Sequence, residues 1–265
     1  MTYYTISPSQ KLKNLVRCFW VLESTGATYT HRSMADVCAE LVFHYNGQFN
    51  ELIAGESHPS YISALQGPST QVRRFKINKP FGMFGVYLYP YSIPLFFGIP
   101  ASDLSNNMPD LTTLLGEEGL VLEERMMLAA TNNERIRIIT EFLEQRLIKN
   151  EQQQHAVFSS IHFIIQSKGR LKIEEIADQY FISERQFERK FKEFAGLSPK
   201  LFSRIVRFQA ACEQFGEPFS SLTSISYECG YYDQSHFIHD FKEFSGHHPK
   251  HYFSGMAEGT EWKNA

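Results

Sequence analysis

The sequence predicts an α+β chain in two parts. An N-terminal mixed, mostly β domain ends in a helical pair, and a C-terminal all-α domain holds two helix-turn-helix units joined by a long helix. Three observations carry this. Short runs rich in β-branched and aromatic residues, separated by Gly, Pro, Asn and Ser, fill the first part of the chain. Beyond residue 155 only helical periodicity is visible. Within that half, Phe191-Lys192-Glu193-Phe194-Ala195-Gly196 returns as Phe241-Lys242-Glu243-Phe244-Ser245-Gly246. The offset of 50 residues also relates Phe187 to Phe237, Pro199 to Pro249 and Lys200 to Lys250.

Taken in order, strands are expected over 15–22, 40–45, 71–77 and 83–89. Helices follow over 120–130 and 131–150, the second with Ile136, Ile139, Leu143 and Leu147 on one face. This pair reads equally well as a dimer interface or as a domain flank. The polar run Glu151-Gln152-Gln153-Gln154-His155 is the linker, dividing a domain of residues 1–150 from one of 155–253, with 254–265 as a tail. In the first repeat, Ile173, Ile176, Ala177 and Tyr180 form one apolar stripe. Ser183 then caps a second helix that buries Phe187, Phe191 and Phe194 and stops at Gly196. Ser198-Pro199 opens the connecting helix, lined by Leu201, Ile205, Phe208 and Cys212 and ended by Gly216 and Pro218. In the second repeat Leu222, Ile225, Ser226 and Cys229 make the first helix and Gly230 the turn. Asp233 is the cap, and Phe237, Phe241 and Phe244 are the buried face.

Composition narrows the function classes. With 265 residues, 43% hydrophobic and 21% charged, the chain is long enough for two domains with real cores. No run of about 18 apolar residues is present, since 81–99 is broken by Pro90, Pro94, Gly82, Gly85 and Gly98, so no membrane span is expected. The N-terminus lacks a signal peptide's basic region and apolar core. Cys18, Cys38, Cys212 and Cys229 are scattered, as in a reduced, cytoplasmic protein rather than a disulfide scaffold. No nucleophile elbow, phosphate loop, dinucleotide fingerprint or zinc-protease helix occurs, so neither an enzyme nor a cofactor is expected. His236, His239, His247, His248 and His251 invite a metal reading, but no cysteine or carboxylate stands at ligand spacing, and no metal is expected.

A net charge of −3 does not announce a nucleic-acid partner, so that reading rests on local charge and motif. In a helix-turn-helix the second helix enters the major groove. With Phe187 inward, the rotation of about 100° per residue puts Arg185, Arg189, Lys192 and Glu188 outward. The equivalent set is Ser235, His239 and Lys242, with His236 on the flank. Between Arg185 and Arg207, seven Lys and Arg face two Glu, whereas the second unit is poor in Lys and Arg. The first unit is therefore expected to supply most base-specific energy and the second to position the chain on phosphates. Gln186, Lys192, Arg204, Arg207, Gln234 and Lys242 are expected on phosphates or at the flanks.

Over 155–253, and above all in Gly230-Tyr231-Tyr232-Asp233-Gln234-Ser235-His236-Phe237 with Phe241-Lys242, Gly246 and Pro249, the sequence resembles the DNA-binding module of the AraC/XylS family of bacterial transcription regulators. The resemblance implies seven helices and two recognition helices about one DNA turn apart. It places base reading on Arg185, Glu188, Arg189, Ser235, His236 and His239. Ser226-Tyr227 stands where a small apolar pair is usual, and His239 where Arg is commoner.

Residues 1–150 resemble, more weakly, the cupin-like sensor domains found ahead of such modules. The cues are Arg17-Cys18-Phe19-Trp20, Glu40-Leu41-Val42-Phe43-His44, 84–94 and Gly98-Ile99-Pro100-Ala101. His31, His44 and His58 do not make a cupin metal set, and His44 reads as a structural histidine. Trp20, Phe43, Tyr45, Tyr87, Tyr89, Phe96 and Phe97 read as core or as pocket lining, with Trp20, His44 and Tyr87 the effector candidates. The expected function is a transcription regulator, on the family's precedent an activator. Its expected partners are double-stranded promoter DNA, RNA polymerase and a small apolar or amphipathic effector, with a homodimer left open. The rival readings are an N-terminal enzyme fused to a DNA reader and an architectural DNA-binding protein with no effector.

Overall fold

Two antiparallel sheets build the N-terminal half of the computed structural model, which describes residues 1–26, 28–149, 156–170, 183–216 and 221–260. The first sheet runs in the order β1 (Thr2–Ile6), β2 (Val16–Ser24), β9 (Phe81–Leu88), β4 (Ala39–Asn46) and β7 (Ser63–Gln66). The second holds β3 (Tyr29–Ser33), β8 (Arg73–Ile77), β5 (Asn50–Ile53) and β6 (Glu56–Pro59). All four expected strands are present as β2, β4, β8 and β9. They were legible because the first sheet is covered on both faces, so β2, β4 and β9 are almost continuously apolar. Trp20, Leu22, Val42 and Met83 face the second sheet, and Phe19, Val21, Leu41, Phe43, Phe84 and Val86 face a helical layer.

That layer is α1 (Ser92–Phe97), α4 (Glu117–Leu128) and α5 (Asn132–Lys149), with the short α2 (Ala101–Leu104) and α3 (Leu111–Leu115) between. The expected helical pair is α4 and α5. Its buried face, Leu122, Met126, Ile138, Ile139, Phe142 and Leu143, lies on the outer side of the first sheet as a flank of this domain. Arg135 ties the two helices end to end, donating to the carbonyls of Met126 (3.2 Å) and Ala129 (2.6 Å).

The C-terminal half holds α6 (Ala156–Gln166), α7 (Glu184–Ala195), α8 (Pro199–Cys212), α9 (Leu222–Glu228), α10 (Gln234–Ser245) and α11 (Pro249–Phe253). These are six of the seven helices the resemblance implies. The expected helix over 173–180, the linker 151–155 and Pro218 lie outside the described residues. Each second helix starts as expected. Ser183 closes a capping box with Gln186, and the Asp233 carboxylate accepts from the His236 N–H at 2.8 Å. Gly196 and Gly246 end the two helices at φ +79° and +71°, the left-handed conformation that favours glycine. No helix among the described residues is long and apolar enough to cross a membrane.

The two halves share one core, in which Ala35, Val37, Cys38, Tyr91 and Leu95 pack with the helices of the second half. Both glycine caps are docked on the first half. The Gly196 carbonyl accepts from Ser105 Oγ at 2.5 Å, and Arg32 Nη1 donates to the Ser245 carbonyl at 3.3 Å. Next to it, the Ala35 N–H donates to the Phe244 carbonyl at 2.9 Å. The tail also returns to the sheets. Glu258 accepts from Arg32 at 3.1 Å and from both ends of the Arg74 fork at 2.6 and 2.8 Å.

Candidate nucleic-acid interface and effector cavity

The repeat places two polar helix faces over two buried Phe rows. Phe187, Phe191 and Phe194 under α7, and Phe237, Phe241 and Phe244 under α10, are at most 3% exposed. On the opposite faces Arg185, Glu188, Arg189 and Lys192, and Ser235, His236, His239 and Lys242, are all exposed. Arg185 and Arg189 have no hydrogen-bond or ion-pair partner among the described residues, whereas Lys190 is paired with Glu193 at 3.0 Å. His236 Nδ1 is held by the cap Asp233 at 2.9 Å.

Four residues read as phosphate or flank contacts also make contacts within the protein. Arg204 reaches from α8 to α10, with Nη2 2.7 Å from both Asp240 Oδ1 and Glu243 Oε2. Its guanidinium also sits 5.0 Å from the Phe244 ring centre. Arg207 donates to the Gly169 carbonyl at 2.9 Å and lies 5.6 Å from the Tyr231 ring centre. Both brace the helical half, a role the sequence reading did not assign to them. Gln186 is the capping-box partner of Ser183, and Gln234 accepts from Thr223 Oγ1 at 2.8 Å across the second turn. Asp240 and Glu243 carry no sequence signal of their own. They become readable only once α8 is known to cross α10. His239 joins these two carboxylates in a group compact enough to hold a cation, but Arg204 already occupies both.

The second site lies between the sheets. A cavity of about 310 Å³ is walled by one face of the first sheet, by β3 and the following segment 33–36, and by Phe208, Gln209, Cys212 and Glu213 at the end of α8. Strand register explains its floor. Cys18, Tyr87, Glu40 and Gln66 form one cross-strand row, and Trp20 lies across Gly85 in the next, where any side chain would collide with the indole. Trp20, His44 and Tyr87 therefore line one cavity. So do Asp36 and Glu40, which sequence reading missed. Strict alternation along β4 was the available signal, because it puts Glu40 on the same face as His44.

The cavity is unusually rich in buried ionisable groups. Tyr87 donates its hydroxyl to Asp36 Oδ2, whose other oxygen accepts from the Cys38 N–H at 2.7 Å. Gln209 of α8 reaches the Tyr87 hydroxyl at 3.4 Å. Burial pushes the Glu40 carboxyl up to about 8, with the Asp36 charge adding to it. Burial also pulls His31 and His44 down to about 4, so both are neutral at pH 7. The Cys18 and Cys38 thiols are pushed up by burial, which makes them poor nucleophiles.

A family described as a helix-turn-helix domain matches residues 176–255, and one described as a domain of unknown function matches 4–110. The transcriptional activator RhaS of Escherichia coli is 34% identical over 62 residues, 23% of this chain and 22% of that protein. An uncharacterised helix-turn-helix regulator of Haemophilus influenzae is 28% identical over 110 residues, 42% of this chain and 37% of that one. The C-terminal module is similar to the helix-turn-helix part of such transcription regulators. The chain spans only 22–37% of the length of these curated relatives. The fold likeness runs further. ToxT of Vibrio cholerae superposes over 96% of this chain and 98% of its own, with a TM-score of 0.51 at 12% identity. A ToxT structure bound to (E)-4-(8-methylnaphthalen-1-yl)but-3-enoic acid gives 0.50 at 11%, covering 97% and 100%.

Proposed function

We propose that this chain is a cytoplasmic, sequence-specific regulator of transcription that binds double-stranded promoter DNA through α7 and α10. The observation that carries this is the 50-residue repeat, each copy a capped helix with a Phe row buried and a polar face exposed. Its AraC/XylS-type module and the likeness to RhaS support regulation, and RhaS's description as an activator favours activation through RNA polymerase. Base reading falls to Arg185, Glu188 and Arg189 on α7 and to Ser235, His236 and His239 on α10. One copy of the chain should cover two major-groove segments about one helical turn, roughly 10 bp, apart. Selection from a random DNA library followed by footprinting tests this. An asymmetric site protected on one face is expected, and a palindrome that leaves α10 untouched would refute it.

A small molecule in the cavity is the regulator's input on this reading. The support is that segment 31–36 lines the cavity on one side and holds the cap of α10 on the other. The ligand named for the ToxT structure shows that a similar fold accommodates a small organic molecule. A ligand that favours one position of that segment then biases DNA binding by its differential affinity for the two states.

A further inference from the structure

One acid of the cavity lacks a counter-charge, and this identifies what the cavity holds. Arg32 is paired with Glu258, and Arg17 sits 3.6 Å from Glu213 while its charge also offsets Asp36. Glu40 has no cation paired with it among the described residues. The groups facing it are Tyr3 from β1, Cys18 and Trp20 from β2, Asp36 from the segment before β4, and Tyr87 and Gln66 from the flanking strands. None of these carries a positive charge, and the neutral His31 and His44 supply none from further along the walls. The Trp20 N–H approaches the Glu40 carboxyl and favours its ionised form without closing a hydrogen bond. His44 is 7% exposed, and its Nδ1 is likewise buried without a partner among the described residues. An unpaired acid with aromatic faces around it is what an ammonium group completes.

We propose that the cavity binds an organic monocation, a primary or secondary amine on an apolar body, with Glu40 as its counter-charge. This rests on the effector reading above and names the effector's class. The ammonium sits against Glu40, beside the Trp20 and Tyr87 rings. The apolar body lies toward Leu22, Val42, Phe49 and Met83. The volume suits a small ligand, at the lower end of the roughly 300–1,000 Å³ of such sites. Because Glu40 holds its proton to about pH 8 in the free protein, binding at pH 7 expels that proton to solvent. Affinity therefore rises with pH up to about 8 and then levels, since an alkylammonium stays charged to about pH 10.

Isothermal titration of the full chain with 2-phenylethylamine, 2-phenylethanol and phenylacetate, three probes of near-equal shape, tests this between pH 6 and 8.5 in buffers of different ionisation heat. The amine should bind at least tenfold tighter than either isostere, with proton release at pH 7. In E40Q its affinity should fall tenfold or more and lose its pH dependence. Proton release by the unaltered chain decides the matter even if E40Q folds poorly. Equal or tighter binding of the alcohol or the acid overturns the amine assignment, as does amine binding that releases no proton or survives E40Q. If phenylacetate or phenylethanol binds and changes DNA affinity, the effector reading stands and only the ligand class falls. If none of the three binds and the cavity-filling Val42→Trp leaves DNA affinity unchanged, both readings fall.

Discussion

Arginines that look alike in the sequence differ in what their guanidinium groups meet. Arg189 has an exposed side chain with no partner among the described residues, free to offer two parallel donors to guanine. Arg189→Ala should cost on the order of 1–3 kcal/mol on the preferred DNA and relax preference at one base pair, read by repeating the library selection. Arg204 is held by Asp240, whose side chain is only 10% exposed. Removing the arginine strands that carboxylate. The cost should be about 1–3 kcal/mol of stability, below the 3–5 of a fully buried pair because Arg204 is partly open to solvent. A urea melt of Arg204→Ala checks this. Its DNA affinity, measured where the protein is folded, should keep the original salt dependence, whereas a lost phosphate contact flattens the slope by about one.

At the level of elements, the two glycine caps do more than stop helices. A Cβ on Gly196 would come within 2.9 Å of Ser105 Oγ and 3.0 Å of Pro68, and one on Gly246 within 2.6 Å of Arg32 Nη1. Both caps combine a left-handed backbone with contact to the N-terminal half, so α7 and α10 are each held at the C-terminal end by the domain that carries the cavity. Gly196→Ala and Gly246→Ala should each cost about 1–3 kcal/mol, of which about 1 is backbone strain. The remainder, from the broken contact, should vanish for Gly246 when Arg32→Ala is made first, and shrink for Gly196 after Ser105→Ala, where Pro68 still lies 3.0 Å away. Thermal melts of the single and double variants measure this coupling.

For the whole molecule, the cavity's ionisable groups set opposing pH limits on stability. His31 and His44 titrate near 6.5 in the unfolded chain and near 4 when folded, so the stability they contribute above pH 6.5 is lost as pH falls toward 4. Glu40 runs the other way, from about 4.5 unfolded to about 8 folded, so its contribution, complete below pH 4.5, is lost as pH rises to 8. Denaturant melts from pH 4.5 to 8.5 should show stability falling on both sides. Glu40→Gln should flatten the alkaline limb, and His31→Gln with His44→Gln the acid limb. The sequence by itself determined whatever is written in periodicity and local chemistry. That covers the four expected strands, the helical pair, the caps at Ser183 and Asp233, the Phe rows and the residues opposite them. Short polar strands such as β6, with all four residues exposed, leave no such pattern, because they are held by neighbouring backbone rather than by their own side chains. Only the tertiary structure decided that Arg204 and Arg207 are braces and that the tail returns to Arg32 and Arg74. It alone decided that Glu40 shares a cavity with Trp20, His44 and Tyr87. Those outcomes depend on which residues distant in the chain meet, and burial and pairing, which set a side chain's charge and role, exist only after they have met.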